Sequence, residues 1–166
     1  MIVLKAFKKE DISEFLDWVK DFDAEFLIQF AGPRYSFPLD KKQLLDTIHD
    51  KRSLVFKAID ETTGAAIGHC QLMKIDPDNK SASIGRALIK QDNRGLGYGY
   101  TMLKELINYA TGVLKLKQLR LKVFTFNRSA LKCYLKLGFT ESKRENIFYR
   151  EINKTWNCVT MDYIIS

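Results

Sequence analysis

Apolar residues recur along the chain at two spacings, two residues apart in some segments and three or four apart in others. The alternating segments are rich in β-branched and aromatic residues and predict strands at 2–7, 53–60, 66–75, 81–89, 118–124, 139–150 and 156–165. The helical spacing predicts a helix through 15–19, one starting at 40, a long one through 103–114, and a short one between 127 and 138.

Residues with capping chemistry stand at the ends of these helical segments. Asp11 and Glu14 have the spacing of a capping box before the first helix, and Asp40 precedes the second. Asn127 is a favourable N-terminal cap for the last helix, and Gly138 occupies the position where glycine commonly ends a helix. The sequence therefore marks the bounds of several helices as well as their apolar faces.

The order of the predicted elements is strand, two helices, three strands, helix, strand, helix and two strands. Helices that interrupt a largely antiparallel run of strands favour an α+β domain with a mixed sheet over a regular doubly wound one. No segment rich in Pro, Gly or Ser divides the 166 residues, so we expect a single domain, 1–166. Three Pro and nine Gly exclude a collagenous or low-complexity chain, and no repeat period is present.

The composition of the chain further narrows the class of protein. Cys70, Cys133 and Cys158 are far apart and belong to no metal-binding cluster, which predicts buried thiols in a reducing compartment and no metal site. No apolar run approaches the ~20 residues of a membrane span, so we expect a cytoplasmic protein without a membrane partner. The net charge of +7 attracts polyanions, but the basic residues are scattered and usually stand near acids.

A glycine-rich turn before the long helix is the most informative stretch. Gly95, Gly97 and Gly99 follow Arg94, and such a turn presents backbone N–H groups to an anion beside a helix N-terminus. A structural turn is the plain alternative, but three glycines in this context favour pyrophosphate binding. The spacing excludes a Walker A loop, and Tyr100 stands where a Rossmann fingerprint needs Gly or Ala.

Two motifs carry a resemblance to a known family. Arg94-x-x-Gly97-x-Gly99 resembles the pyrophosphate signature of the GNAT superfamily of N-acetyltransferases. The segment from Asn127 through Tyr134 to Gly138-Phe139 is similar to that family's Asn-x-x-Ala/Ser-x-x-x-Tyr-x-x-x-Gly-Phe segment. The N-terminal part, including Trp18, more weakly resembles the branch that contains ribosomal-protein N-terminal acetyltransferases.

The resemblance implies a GNAT-like fold in which a splayed parallel strand pair holds acetyl-CoA, used as a co-substrate. It places main-chain contacts to the pantetheine arm at Leu88 and Ile89 and a side-chain contact at Asn127, which also reads as a helix cap. The pyrophosphate would be wrapped mainly by backbone N–H groups of Arg94, Gly95, Leu96, Gly97, Tyr98, Gly99 and Tyr100.

The implied reaction is direct attack of an amine on the thioester, with the carbonyl oxygen polarised by a backbone N–H near Leu88 or Ile89. The resemblance gives Tyr134 the role of the acid that protonates the leaving thiolate. The position of Tyr134 on the apolar face of its predicted helix is equally typical of an amphipathic core tyrosine.

The base that deprotonates the amine is not identified by the sequence. The strand before the turn offers Ser81 and Ser83 but no carboxylate, which departs from family members that carry a glutamate there. His69 has a suitable intrinsic pKa, yet a lone strand histidine is more often packed or exposed than catalytic. Glu25, Asp76 and Glu141 are no better supported.

The acceptor is expected to bind between the N-terminal helices, the loop 30–38 and the closing hairpin at 146–154. Phe30, Tyr35 and Phe37 are the pocket candidates on that loop, because loops carry specificity. Trp18 and Phe26 equally suit the core. We expect a primary amine as partner, either a protein N-terminus or a small molecule, and a monomer or homodimer.

Two other functions remain open at this stage. A non-catalytic acyl-CoA-binding regulatory domain would keep the cofactor turn without turnover. A basic nucleic-acid-binding module would need interleaved aromatic and basic residues on one surface, and the run 120–126 alternates as an ordinary strand does. The excess positive charge is explained more simply by cofactor phosphates, since several cations lie in or beside the cofactor segments: Lys90, Arg94, Arg128 and Lys132.

Overall fold

A seven-stranded sheet runs through the whole protein in a computed structural model that describes residues 1–165. Ser166, the last residue of the predicted domain, lies outside the described residues. The strands lie in the order β1-β2-β3-β4-β5-β7-β6. Their bounds are β1 Ile2–Ala6, β2 Leu54–Asp60, β3 Ala66–Asp76, β4 Ser81–Ile89, β5 Gln118–Phe124, β6 Thr140–Tyr149 and β7 Lys154–Ile164.

The sheet is mixed, as the α+β prediction requires. The β4–β5 pair is parallel, and the other neighbouring strands described are antiparallel. Within residues 1–165, five α-helices flank it: α1 Ile12–Trp18, α2 Ala24–Ala31, α3 Lys41–His49, α4 Tyr98–Asn108 and α5 Arg128–Leu137. Helix α4 continues into a π-helical turn, Tyr109–Val113.

The expectation of two helices between β1 and β2 is wrong, because α2 is a third. Asp23 caps it by accepting a hydrogen bond of 2.8 Å from the Phe26 N–H. Leu27 and Ile28 are both buried, in two different apolar clusters. The apolar residues of α2 divide between these two clusters, so they form no single narrow stripe in the sequence.

The predicted caps differ in outcome. Asp40 accepts a hydrogen bond from the Gln43 N–H, and Asn127 accepts one from the Ala130 N–H, so both cap their helices. The capping box at Asp11 is wrong. Its carboxylate accepts from the Lys8 N–H and forms an ion pair with Lys57 at 2.7 Å, which joins the N-terminal turn to β2.

The core lies in two layers, one on each face of the sheet. Helix α4 packs on one face, where Met102 and Leu106 are almost completely buried. Helices α1, α2 and α3 cover the other face around Phe15, Leu27 and Leu44. In the part of the chain that the structure describes, no helix has the length and apolar character needed to cross a membrane.

Candidate active site

Strands β4 and β5 separate in the middle of the sheet. They pair only from Ser81 to Ser83, opposite Gln118 to Arg120, and then diverge. The outer half of β4 therefore pairs with β3 on one side and faces an opening on the other. This geometry confirms the expected splayed parallel pair.

Main-chain groups of β4 point into this opening. The Lys90 N–H donates a hydrogen bond of 2.8 Å to the Ile67 carbonyl in β3. Because successive N–H groups of a strand point to opposite sides, Leu88 also directs its N–H to β3, whereas Ile89 directs its N–H into the opening. Of the two candidates for polarising a carbonyl, Ile89 has the suitable orientation.

The glycine turn has the backbone conformation that its sequence predicts. Gly95 and Gly97 have φ angles of 77° and 83°, in the left-handed region that favours glycine. Gly97 is the N-cap of α4, and the first helical bond runs from the Thr101 N–H to the Gly97 carbonyl. The N–H groups of the first turn precede that bond and have no partner within the helix, so they are available to an anion.

Arg94 connects this turn to the end of β4. Its Nε donates a hydrogen bond of 2.9 Å to the Ile89 carbonyl oxygen. The bond satisfies that carbonyl and fixes the turn next to the opening between the strands.

One cleft of about 530 Å³ brings the opening, the turn and helix α5 together. Eight of the predicted site residues line it: Leu88, Ile89, Arg94, Gly97, Gly99, Tyr100, Asn127 and Tyr134. Gly95, Leu96 and Tyr98 do not line it. Leu96 is 66% exposed, and Tyr98, the first residue of α4, packs against the core.

Tyr134 lies on the side of α5 that faces the cleft. Its ring packs edge-on against Phe139, with ring centroids 6.0 Å apart. Burial raises the pKa of Tyr134 to about 12, and the neighbouring Cys133 thiol adds to the effect. The phenol therefore keeps its proton at neutral pH and is available as a hydrogen-bond donor inside the cleft.

Helix α2 supplies cleft residues that the sequence assigns differently. Phe26 and Phe30 line the cleft together with Gln29, and all three belong to α2. Tyr35 and Phe37, the other pocket candidates of the loop 30–38, do not line this cleft. Tyr35 is buried beneath α3, and Phe37 is 54% exposed and does not line the cleft. The Asp23 cap is the sequence signal that could have found α2.

His69 is unsuited to the role of base. It is 1% exposed and packs between Phe7 and Phe15, with ring centroids 4.8 and 4.3 Å away. Burial, and secondarily the charge of Arg86, lowers the pKa of His69 to about 3. The ring does not line the cleft.

The three carboxylates considered as bases are also engaged elsewhere. Glu25 pairs with Lys154 of β7, Asp76 accepts from Asn79, and Glu141 pairs with Arg144. None of them lines the cleft. The described residues contain no group of three or more His, Cys, Asp or Glu side chains arranged to hold a metal ion.

Known proteins share both the sequence pattern and the fold. The family described as "Acetyltransferase (GNAT) domain" has a sequence model that matches residues 2–140. Spermidine N-acetyltransferase from Vibrio cholerae, solved in complex with CoA and spermine, is 21% identical with a TM-score of 0.82, over 98% of this chain and 95% of that chain. The dodecameric structure of the same enzyme in an intermediate state is 22% identical with a TM-score of 0.78, over 98% and 93%. Structural likeness at this identity shows the fold.

Proposed function

Because the chain belongs to the GNAT acetyltransferase family, we propose that it transfers the acetyl group of acetyl-CoA to a primary amine by direct attack on the thioester. The observation that carries this proposal is the convergence of the strand opening, the glycine turn and Tyr134 on one cleft. When bound, acetyl-CoA supplies an activated acyl group and a thiolate as leaving group. We further propose that residues 1–166 act as one domain.

Different groups of the cleft have different roles in the proposed reaction. The N–H groups of the first turn of α4, together with those of the glycine turn, bind the pyrophosphate. The Ile89 N–H donates to the thioester carbonyl oxygen, where negative charge develops during attack. The Tyr134 hydroxyl donates its proton to the leaving thiolate, and the proton that the amine loses on forming the amide restores the phenol through solvent. Asn127 contributes its side-chain amide while its carbonyl oxygen caps α5.

The acceptor end of the cleft is apolar. Phe26 and Phe30 form its wall with Gln29, and no Asp or Glu within residues 1–165 lines the cleft. A polyamine such as the ligands of the Vibrio cholerae enzyme carries several charges that carboxylates would balance. We therefore propose an acceptor whose amine stands on an apolar or aromatic group, such as a peptide N-terminus with an apolar first residue.

The cysteine residues bear on the cellular location of the protein. Cys70, Cys133 and Cys158 are all free thiols. Free thiols are retained in reducing compartments, which supports a cytoplasmic location.

Acceptor-dependent release of CoA thiol tests the proposal. Purified protein is incubated with acetyl-CoA and with phenethylamine, peptides with apolar first residues, spermidine, or no acceptor. We expect release with the apolar amines above the acceptor-free rate, and a higher kcat/KM for them than for spermidine. Acetyl-CoA binding without release for any acceptor would instead identify a non-catalytic acyl-CoA-binding domain. A preference for spermidine would reject the apolar acceptor while leaving the transfer reaction in place.

A further inference from the structure

Gln29 lies on the face of α2 that lines the active-site cleft. Residues three and four apart along a helix share one face, and Phe26, Gln29 and Phe30 all line the cleft. Phe26 and Phe30 belong to the same apolar cluster as Leu88, near the end of β4. This face of α2 therefore lies beside the strand end whose Ile89 N–H is directed into the opening.

On this face, Gln29 lies on the side of the closing hairpin. Because each residue advances the helix by about 100°, the side chains follow one another around α2 in the order Glu25, Gln29, Phe26 and Phe30. The Glu25 carboxylate forms an ion pair with Lys154 of β7, which joins this side of α2 to the hairpin. Gln29 therefore stands between that ion pair and the two aromatic rings.

The Gln29 carboxamide makes no hydrogen bond with any other group among residues 1–165. The side chain is half-buried, and the phenyl rings beside it offer no conventional hydrogen-bonding group. Glu25, one turn earlier, is already paired with Lys154. The carboxamide is therefore free to turn into the cleft, where water or a ligand satisfies its hydrogen-bonding groups.

A carboxamide complements the main chain of a peptide. It carries an acceptor, Oε1, and a donor, Nε2, side by side. In an extended chain, the N–H and C=O of one residue point to the same side, so a single carboxamide can bind both. A simple arylalkylamine has no polar group beyond its amine, so it leaves the Gln29 carboxamide without a partner.

We propose, on the basis of the acetyltransferase function proposed above, that Gln29 is a specificity-determining residue that selects peptide N-termini over simple amines. The amine reaches the acetyl group beside Ile89, the first side chain rests on Phe26 and Phe30, and the chain continues towards the hairpin. Gln29 Oε1 then accepts a hydrogen bond from the N–H of the second residue, and Nε2 donates one to the carbonyl oxygen of that residue.

Thiol release with two matched acceptors tests the first of these hydrogen bonds. Phenylalanyl-alanine amide has the N–H of the second residue, whereas its depsipeptide analogue has an ester oxygen in that place and keeps the same side chains. The wild-type protein should use the amide with a kcat/KM about tenfold higher than that of the ester, because the ester leaves Gln29 Oε1 without a donor. Phenethylamine, measured in the same assay, tests the transfer reaction without this contact.

Three variants locate the preference for the amide. Gln29→Leu keeps the size and helix propensity of the side chain but removes both hydrogen-bonding groups, and should use amide and ester equally, with an unchanged KM for acetyl-CoA. Gln29→Glu keeps an acceptor oxygen and should therefore retain the preference. Gln91→Leu, the control, removes an exposed glutamine outside the cleft and should retain the wild-type ratio.

Release with phenethylamine distinguishes failure of this contact from failure of the reaction. Equal use of amide and ester by the wild type, a preference retained in Gln29→Leu, or a preference lost in Gln29→Glu would refute the role of Gln29 while leaving the transfer reaction in place. Loss of the preference in Gln91→Leu would likewise refute it. Absence of release with every amine would reject the acetyltransferase function, on which the role of Gln29 rests.

Discussion

Arg94 Nε donates a hydrogen bond of 2.9 Å to the carbonyl oxygen of Ile89, and this bond joins the glycine turn to the end of β4. The same residue, Ile89, directs its N–H into the opening between β4 and β5. This bond therefore links the anion-binding turn directly to the residue proposed to polarise the thioester. Their relative position follows from backbone geometry, so substitutions that change the backbone should affect cofactor binding most.

Gly97→Ala should weaken acetyl-CoA binding about tenfold. Gly97 has a φ angle of 83°, a conformation that costs a residue with a Cβ roughly 1–2 kcal/mol, so the turn shifts and its N–H groups lose their alignment. Isothermal titration with acetyl-CoA measures the effect. Gly112→Ala is the control, because Gly112 has no left-handed φ angle, its Cβ would meet nothing within 4 Å, and the residue does not line the cleft. Equal affinities for the two variants would contradict the role of the turn.

Tyr134→Phe should lower kcat by about 100-fold, with the KM for acetyl-CoA within about twofold of the wild-type value. The substitution removes the proton donor and keeps the ring that packs on Phe139. Steady-state thiol release with the best acceptor provides the measurement. Tyr149→Phe is the control, because burial also raises the pKa of Tyr149 to about 12 but this residue does not line the cleft. Unchanged turnover in Tyr134→Phe would assign this side chain to packing alone.

The pH dependence of stability should report on His69. Burial lowers its pKa to about 3, so the folded protein keeps the ring neutral where the unfolded chain, with a pKa of 6.5, takes up a proton. The stabilisation is complete above pH 6.5 and is lost as the pH falls towards 3. At pH 5 the loss is about 2 kcal/mol of unfolding free energy.

Urea unfolding at pH 7 and pH 5 measures this change in stability. Comparison with variants separates the contribution of His69 from that of the other titratable groups. His69→Gln should show a smaller loss between the two pH values than the wild type. His49→Gln, at the exposed end of α3, should show the wild-type loss. Identical losses in all three proteins would mean that His69 becomes protonated in the folded state.

Phe30→Ala should raise the KM for the acceptor several-fold and leave the KM for acetyl-CoA unchanged. Phe30 lines the cleft from α2, whereas the glycine turn leads into α4. Truncation removes apolar contact area that we assign to the acceptor. Phe37→Ala is the control on the adjacent loop, where the ring is exposed and outside the cleft. A larger effect from Phe37→Ala would restore the loop as the acceptor site.

Local signals explain which parts of the site could be predicted. Gly97 suits a turn with a left-handed backbone, and Asn127 suits the N-terminal cap of a helix. The structure shows both features. Such features depend on a few neighbouring residues, so they are visible in the sequence. Helix α2 has weaker signals: its apolar residues divide between two clusters, and its local markers are the Asp23 cap and Gly32, which ends the helix with a φ angle of 70°.

Arg86 shows what sequence patterns do not reveal. Its position in an alternating strand predicts one face of the sheet, but a bulge in β4 turns it to the other side, beside Tyr35. The partners of its guanidinium lie 15 and 51 residues away along the chain. Only the folded arrangement brings them together, so this buried polar cluster has no signature in the sequence.

The diverging strands give the sheet two kinds of edge. The outer strand β6 carries Glu141, Lys143, Arg144 and Glu145, and charged side chains of this kind prevent a foreign strand from adding to an exposed edge. The inner edge of β4 lacks such protection, because only core and cleft residues surround it. The protein thus resists indiscriminate strand pairing on its outer side while keeping an inner row of amides open to a ligand with amides of its own.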